Sequence, residues 1–418
     1  MEKKVFKSYR QLISLLRNRG INIKKGSAGS RVIRILEKEN YYNVINGYKE
    51  LFIDRSASNF NQEVYKPGTK FDEIYALYTF DREIRIIYLK YILKLENHFK
   101  SIVSHHFSKK YGYDNYLKID NFHCTASNSV SELKKIAKRY NLDLINDISE
   151  IKRISQEENV ANITRLIGDI HQEIARQLNK HHPMVTHYMI KHGYIPLWVL
   201  VNVLTFGKVT TFYLYMKDDD KIEIARQFHI NYIELHKYMS ILGFARNKCA
   251  HDERFFDIRF KQLIHTRSIP YFSSLNLPRN ASGSYTKGLC DLYAIVIIFR
   301  QLLSKQDLNE FISALELEIK KLSKQLKTIS VNDVLDVMGF PDNWKNILIT
   351  IKKVVRKFYS DYIFSSYYTL FMYSPVLVSI LILSPMFTNK GTCTTAPVST
   401  VAGFEAPVAV SPLNPGSV

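Results

Sequence analysis

The stretch Tyr88-Leu89-Lys90-Tyr91-Ile92-Leu93-Lys94-Leu95-Glu96-Asn97-His98-Phe99-Lys100-Ser101-Ile102 sets the fold class. Tyr88, Ile92, Leu95, Phe99 and Ile102 recur at intervals of four and three. That is the period of an α-helix and not the alternation of a strand. Followed outward, the pattern predicts one long amphipathic helix from Phe71 to about Phe107. Glu96 lies on the same apolar stripe, so a cation has to accompany its carboxylate.

The rest of the chain reads as helical too. Arg10 to Arg19 and Ser30 to Tyr42 are expected as short helices separated by Gly20 and Lys25-Gly26-Ser27. Asn43 to Phe52 follows, then a polar loop to Pro67-Gly68. Asp114 to Val130 is a turn-rich link before helices at Ser131 to Tyr140, Ala161 to Leu178 and Met184 to His192. Pro196 opens a helix that continues from Trp198 to Tyr215 past Gly207. Ile233 to Leu242 is helical, Gly243 is expected to break or kink it, and Phe244 to Phe256 resumes. After a Ser/Asn/Gly/Pro-rich loop come Leu289 to Leu303, Leu308 to Leu326, Asp333 to Met338 and a last helix from Trp344 to Phe358. The expectation is an all-α protein. An N-terminal helical segment covers 1–70, a core 71–260 and a further helical segment 261–360. Residues 361–418 form an apolar tail expected to be disordered.

Lys and Arg outnumber Asp and Glu by 58 to 39, a formal charge of +19, and the pI is near 9.5. Folding needs no such excess. It points to anionic partners, nucleic acid first and an anionic membrane surface second. Cys124, Cys249, Cys290 and Cys393 are far apart and form no C-x-x-C pair. That argues against a zinc ribbon or a disulfide scaffold and fits a reducing compartment. The opening Met1-Glu2-Lys3-Lys4 leads into no sustained apolar run, so no signal peptide is expected and the location reads as cytoplasmic. Tyr367 to Phe387 is uncharged and follows the basic Lys352, Lys353, Arg356 and Lys357, as a membrane span would. Pro375 and Pro385 interrupt it, and a greasy tail is the preferred reading over membrane contact through 367–387.

The chemistry resides in Arg246-Asn247-Lys248-Cys249-Ala250-His251. Arginine keeps its charge and grips phosphate through a planar fork. Histidine gives and takes protons near neutral pH. Together they suffice to cut RNA without a metal, one steadying a phosphate and the other moving a proton. On an unbroken helix the two side chains point about 140° apart. Convergence would then need the length of arginine, or a distorted helix start after Gly243 whose free amides favour an anion. Alone, such a pair is more often structural. No metal or cofactor is expected. His105-His106, His181-His182 and His187 lack spaced carboxylates or cysteines and read as surface or capping residues.

Several blocks give this motif a context. They are Tyr41-Tyr42-Asn43-Val44-Ile45-Asn46-Gly47-Tyr48, Phe71 to Arg82 continuing to Glu96-Asn97-His98-Phe99-Lys100, His187-Tyr188 through Pro196-Leu197-Trp198 to Thr205-Phe206-Gly207, Arg246 to His251 with Arg254-Phe255-Phe256-Asp257, and Met338-Gly339-Phe340-Pro341 with Asn343-Trp344. In this order, over residues 8 to 350, the chain resembles the Abi-like abortive-infection proteins of the AbiD/AbiF type, a branch of the HEPN superfamily. Lys100 stands where that family usually has Arg, and Asp257 where it tends to have Asn.

The resemblance implies a HEPN-type helical bundle with additional helices, acting as a metal-independent endoribonuclease in anti-phage defence. Arg246 and His251 would be the catalytic pair, usually completed across a homodimer. Asn247 and Glu96 would support them, Glu96 as a buried ion-pair partner of Arg246 or Arg82. Arg254, Lys248 and Lys100 would be the RNA-binding cations, with a structural salt bridge an equal alternative for Arg254. RNA is the expected partner, as substrate and as a cognate regulatory strand. The alternative is a non-catalytic module that holds a structured RNA in the same cleft.

Overall fold

The stripe around Tyr88 becomes the middle of a 41-residue helix about 60 Å long, on which the other helices are laid. The computed structural model describes residues 5–58 and 63–348. The helices are α1 (Tyr9–Asn18), α2 (Ser27–Lys38), α3 (Phe71–Tyr111), α4 (Val130–Tyr140), α5 (Ile148–Asn179), α6 (Pro183–His192), α7 (Leu197–Leu200), α8 (Phe206–Tyr215), α9 (Asp218–Gln227), α10 (Tyr232–Ala250), α11 (Leu292–Leu302), α12 (Lys305–Gln325) and α13 (Val331–Val337). Among the described residues there is no strand, only four isolated bridges, and the protein is all-α.

The apolar stripe explains why α3 is central. Tyr88 meets Phe255 at 5.3 Å and Phe311 of α12 at 5.0 Å, both edge-on. Phe99 meets Tyr213 of α8 at 5.4 Å, and Phe107 meets Phe212 at 5.0 Å. These buried rings tie α8 and α12 to the same rod. One core runs without interruption from Ile13 to Ile347, and a small second cluster of Leu133, Ile136, Ala137 and Ile151 joins α4 to α5.

Several expectations fail locally. Gly243 does not break its helix: α10 runs unbroken through it to Ala250, because Ile241, Leu242 and Ala245 around it are buried in the core. The expected resumption over Phe244 to Phe256 therefore ends at Ala250, where tertiary hydrogen bonds take over. Trp198 to Tyr215 is two helices, since Thr205 adopts extended backbone and its side chain caps the amide of Lys208 at the start of α8. Asn43 to Phe52 is not a regular helix but a π turn, Tyr42–Asn46, and a 3-10 turn, Glu50–Phe52. Finally, α5 begins at Ile148, and α9, opening on Asp218-Asp219-Asp220, was not anticipated.

A Cβ added at Gly243 would lie 3.7 Å from Phe206 Cδ1, an ordinary contact. Gly243→Ala is thus expected to stabilise the protein by about 0.5–1 kcal/mol, seen as a rise in melting temperature. A helix broken at this residue would respond with a fall.

Among the described residues no helix is long and apolar enough to cross a membrane. The tail 361–418 with Tyr367 to Phe387, and the expected helix beyond Leu348, lie outside the described residues.

Candidate functional site

The Arg246–His251 segment occupies the last turn and C-cap of α10, so the anion-attracting amides of a helix start are not what it offers. Its end is shaped by Asp252, which takes the left-handed conformation at φ 54°. The amide of Glu253 then donates to the Lys248 carbonyl at 3.2 Å, and that of His251 to the Asn247 carbonyl at 3.1 Å. This is a Schellman-type ending with Asp where glycine is usual.

Asp252 is held in place from α3. Arg85 is buried and pairs with Asp252, donates to the Glu253 carbonyl at 2.8 Å, and donates to Asp81 at 2.8 Å. Asp81, fully buried, also accepts from the Tyr48 hydroxyl at 2.6 Å, the Phe256 amide at 2.6 Å and the Phe255 amide at 3.1 Å. Burial pushes its carboxyl up to about 6, against the pull of Arg85 and of the hydroxyl and amide donors. One carboxylate on α3 thereby fixes where the chain goes after His251.

A second anchor lies fifteen residues beyond Asp81 on α3. Glu96 is buried; Lys100 reaches it at 2.7 Å and also donates to the Leu204 carbonyl at 2.8 Å. Arg246 Nε stands 3.5 Å from Glu96 Oε2. That is close enough for attraction, yet neither atom has a hydrogen-bond partner among the described residues. Arg85 meets the segment after α10 while Glu96 meets Arg246, so the two helices run antiparallel. Of the two partners expected for Glu96, Arg246 is therefore present and Arg82 is not: Arg82 pairs with Glu39 at 2.8 Å.

Arg246, Glu96 and Lys100 are thus together, with the Arg246 side chain 36% exposed. His251 and Asn247 are exposed, and the His251 side chain makes no hydrogen bond, ion pair or ring contact among the described residues. With α10 unbroken, Arg246 and His251 remain about 140° apart around its axis.

The other expected cations are partly committed. Lys248 pairs with Glu253, Arg254 donates to the Gly47 carbonyl at 2.7 Å and pairs with Asp257 at 2.6 Å, and Lys100 is turned inward. Among the histidines, His106 is drawn into a pair with buried Asp220 at 2.9 Å, beside Lys110 and Tyr111.

Cys249, inside the motif, is buried, and burial pushes its thiol up to about 12. It is no nucleophile. Cys249→Ala should leave the fold and the exposed His251 undisturbed, and an alkylating reagent should leave Cys249 unmodified in the folded protein. Rapid native-state labelling would contradict this.

Asp81, Arg85 and Tyr48 carry the site's framework; Tyr48 and Asp81 stand within the blocks that carry the family resemblance but without a role of their own, and Arg85 stands outside them. The available signal was Asp81 and Arg85 spaced i, i+4 inside an apolar helix, a spacing that pairs opposite charges on one face.

The model of the family described as Abi-like protein matches residues 34–257, more than half of the chain. The match holds both anchors on α3 and the whole Arg246–His251 segment. No curated protein and no solved structure matches the chain.

Proposed function

The chain belongs to the Abi-like protein family, and from that premise we propose that it is an anti-phage abortive-infection protein that cuts RNA without a metal at the end of α10. In this reading the fold is of the HEPN type. His251 takes the proton from a ribose 2′-hydroxyl or returns one to the departing 5′-oxygen. Arg246 steadies the charge that builds on the phosphate between them. The 2′-oxygen bonds to phosphorus as the bond to the 5′-oxygen breaks, leaving a 2′,3′-cyclic phosphate and a 5′-hydroxyl.

One observation carries the reading. Arg246 is held from behind by a buried carboxylate and is still partly exposed, while His251 is exposed and unengaged at a chain turn fixed by Asp81 and Arg85. A structural Arg–His pair would be spent on internal contacts. The angular separation of the two residues supports a second point: Arg246 of one protomer works with His251 of another in a composite site of a homodimer.

The test is the chemistry of the products. Purified protein with excess chelator should yield RNA fragments ending in 2′,3′-cyclic phosphate and beginning with 5′-hydroxyl. Cleavage abolished by the chelator, or 5′-phosphate products, would contradict the assignment.

A further inference from the structure

One face of the molecule, around α6, gives little to the core and nothing to the Arg246–His251 segment. Helix α6 gives the core a single fully buried residue, Val185. Of its rings, His187 and His192 are exposed, while Tyr188 is half-buried with one side against the core. His187 meets Tyr188 at 5.5 Å, Tyr188 meets His192 at 5.5 Å, and His192 meets Tyr194 at 6.2 Å. Gly193 at φ 75° ends α6 and turns the chain so that Tyr194 stacks on Tyr113 at 4.7 Å, with planes 29° apart. Tyr113 is 46% exposed, and His187 and His192 are exposed as well. The result is a strip of five rings open to solvent on one side.

The charge around the strip is one-sided. Between Glu173 and Asp218 the chain has no Asp or Glu, but it has five Lys or Arg and four His, Lys191 among the rings themselves. The acidic exception nearby is Asp114, next to Tyr113. A partly exposed ring strip on a stretch of chain rich in Lys and His, with Asp114 as its acidic neighbour, suits a ligand that offers flat apolar faces and negative charge together. Unpaired nucleotides do: their bases stack on aromatic rings and their phosphates favour Lys and His. Paired RNA does not, because its bases are already stacked on one another.

We propose that the Tyr113–Tyr194–His192–Tyr188–His187 strip is a stacking platform for unpaired RNA bases. It rests on the reading of the chain as an RNA-cutting protein and adds a preference for single-stranded substrate. From Glu96 to the end of α3 is about 22 Å along the helix, so the strip lies apart from the cutting residues and holds the strand to one side of them.

The test is fluorescence anisotropy with a labelled single-stranded RNA oligonucleotide and the same oligonucleotide annealed to its complement. The wild type is compared with the Tyr113→Ala/Tyr194→Ala and Tyr113→Phe/Tyr194→Phe doubles. The alanine double should bind the single strand about tenfold or more weakly. The phenylalanine double should stay near wild type, and duplex binding should not change. Asp114→Asn should tighten single-strand binding. Single-strand affinity unchanged in the alanine double, or an equal loss on single strand and duplex, overturns the proposal. So does an alanine double that binds RNA normally but loses a co-purifying protein, which would make the strip a protein-docking face. If the platform fails while wild-type cleavage and its loss in His251→Ala persist, the nuclease reading stands. If the wild type neither binds nor cuts RNA, both fail.

Discussion

RNA cleavage by the His251→Ala protein is expected to fall by about 10²–10⁴-fold, the range for losing a positioned acid or base. Arg246→Ala should cost about 10²–10³-fold, the range for losing one group that stabilises developing charge. The two variants should differ in stability. His251 is exposed and without side-chain partners among the described residues, so its removal should leave the melting temperature near wild type. Arg246 faces a buried carboxylate, and its loss leaves Glu96 with Lys100 alone. A modest destabilisation should follow, much smaller than its kinetic effect. Rates measured at saturating RNA, with binding measured separately, isolate the chemical step. If cleavage is undiminished in both variants, the assignment of the catalytic pair is wrong.

The second large effect is structural. Asp81→Ala should destabilise the protein by about 3–5 kcal/mol, the cost of removing one partner from a buried ion pair. Arg85 loses its buried counter-charge, and the Tyr48 hydroxyl and the Phe255 and Phe256 amides lose their acceptor. Each orphaned donor is expensive in the interior. Asp257→Asn is the matched control. Its partner Arg254 is 41% exposed, and a pair at the surface is worth at most about 1 kcal/mol. Urea unfolding of the two variants should separate them clearly. Cleavage should also fall in Asp81→Ala beyond what the unfolded fraction explains, because the turn carrying Asp252 and Glu253 loses its anchor. Equal stabilities for Asp81→Ala and Asp257→Asn would contradict the role given to Asp81.

The sequence made the large features legible because they rest on period and composition. The spacing from Tyr88 to Ile102 implied α3, and Glu96 on that stripe implied a cation, found as Lys100 and Arg246. The blocks around Tyr41, Phe71 and Arg246 implied the family that the 34–257 match supports. What stayed hidden depends on long-range contacts. Gly243 looks like a breaker locally, but tertiary burial of its neighbours carries α10 through it. The stop after Ala250 is set by Arg85 and Asp81, more than 160 residues earlier in sequence. No local rule connects them. Thr205 does cap α8, a role readable in principle but masked in the sequence by the apolar run around it. For the site, residue identity suggested the chemistry, while placement at a helix end rather than a helix start emerged only from the fold.

The most direct measurement of the central claim mixes two inactive proteins. Arg246→Ala and His251→Ala are purified separately, shown to be folded, and combined under conditions that exchange protomers. A composite site predicts that each mixed dimer regains one intact Arg246–His251 pairing and cuts RNA, with activity rising as the proteins are titrated together. A mixture as inactive as either variant at every ratio would contradict it.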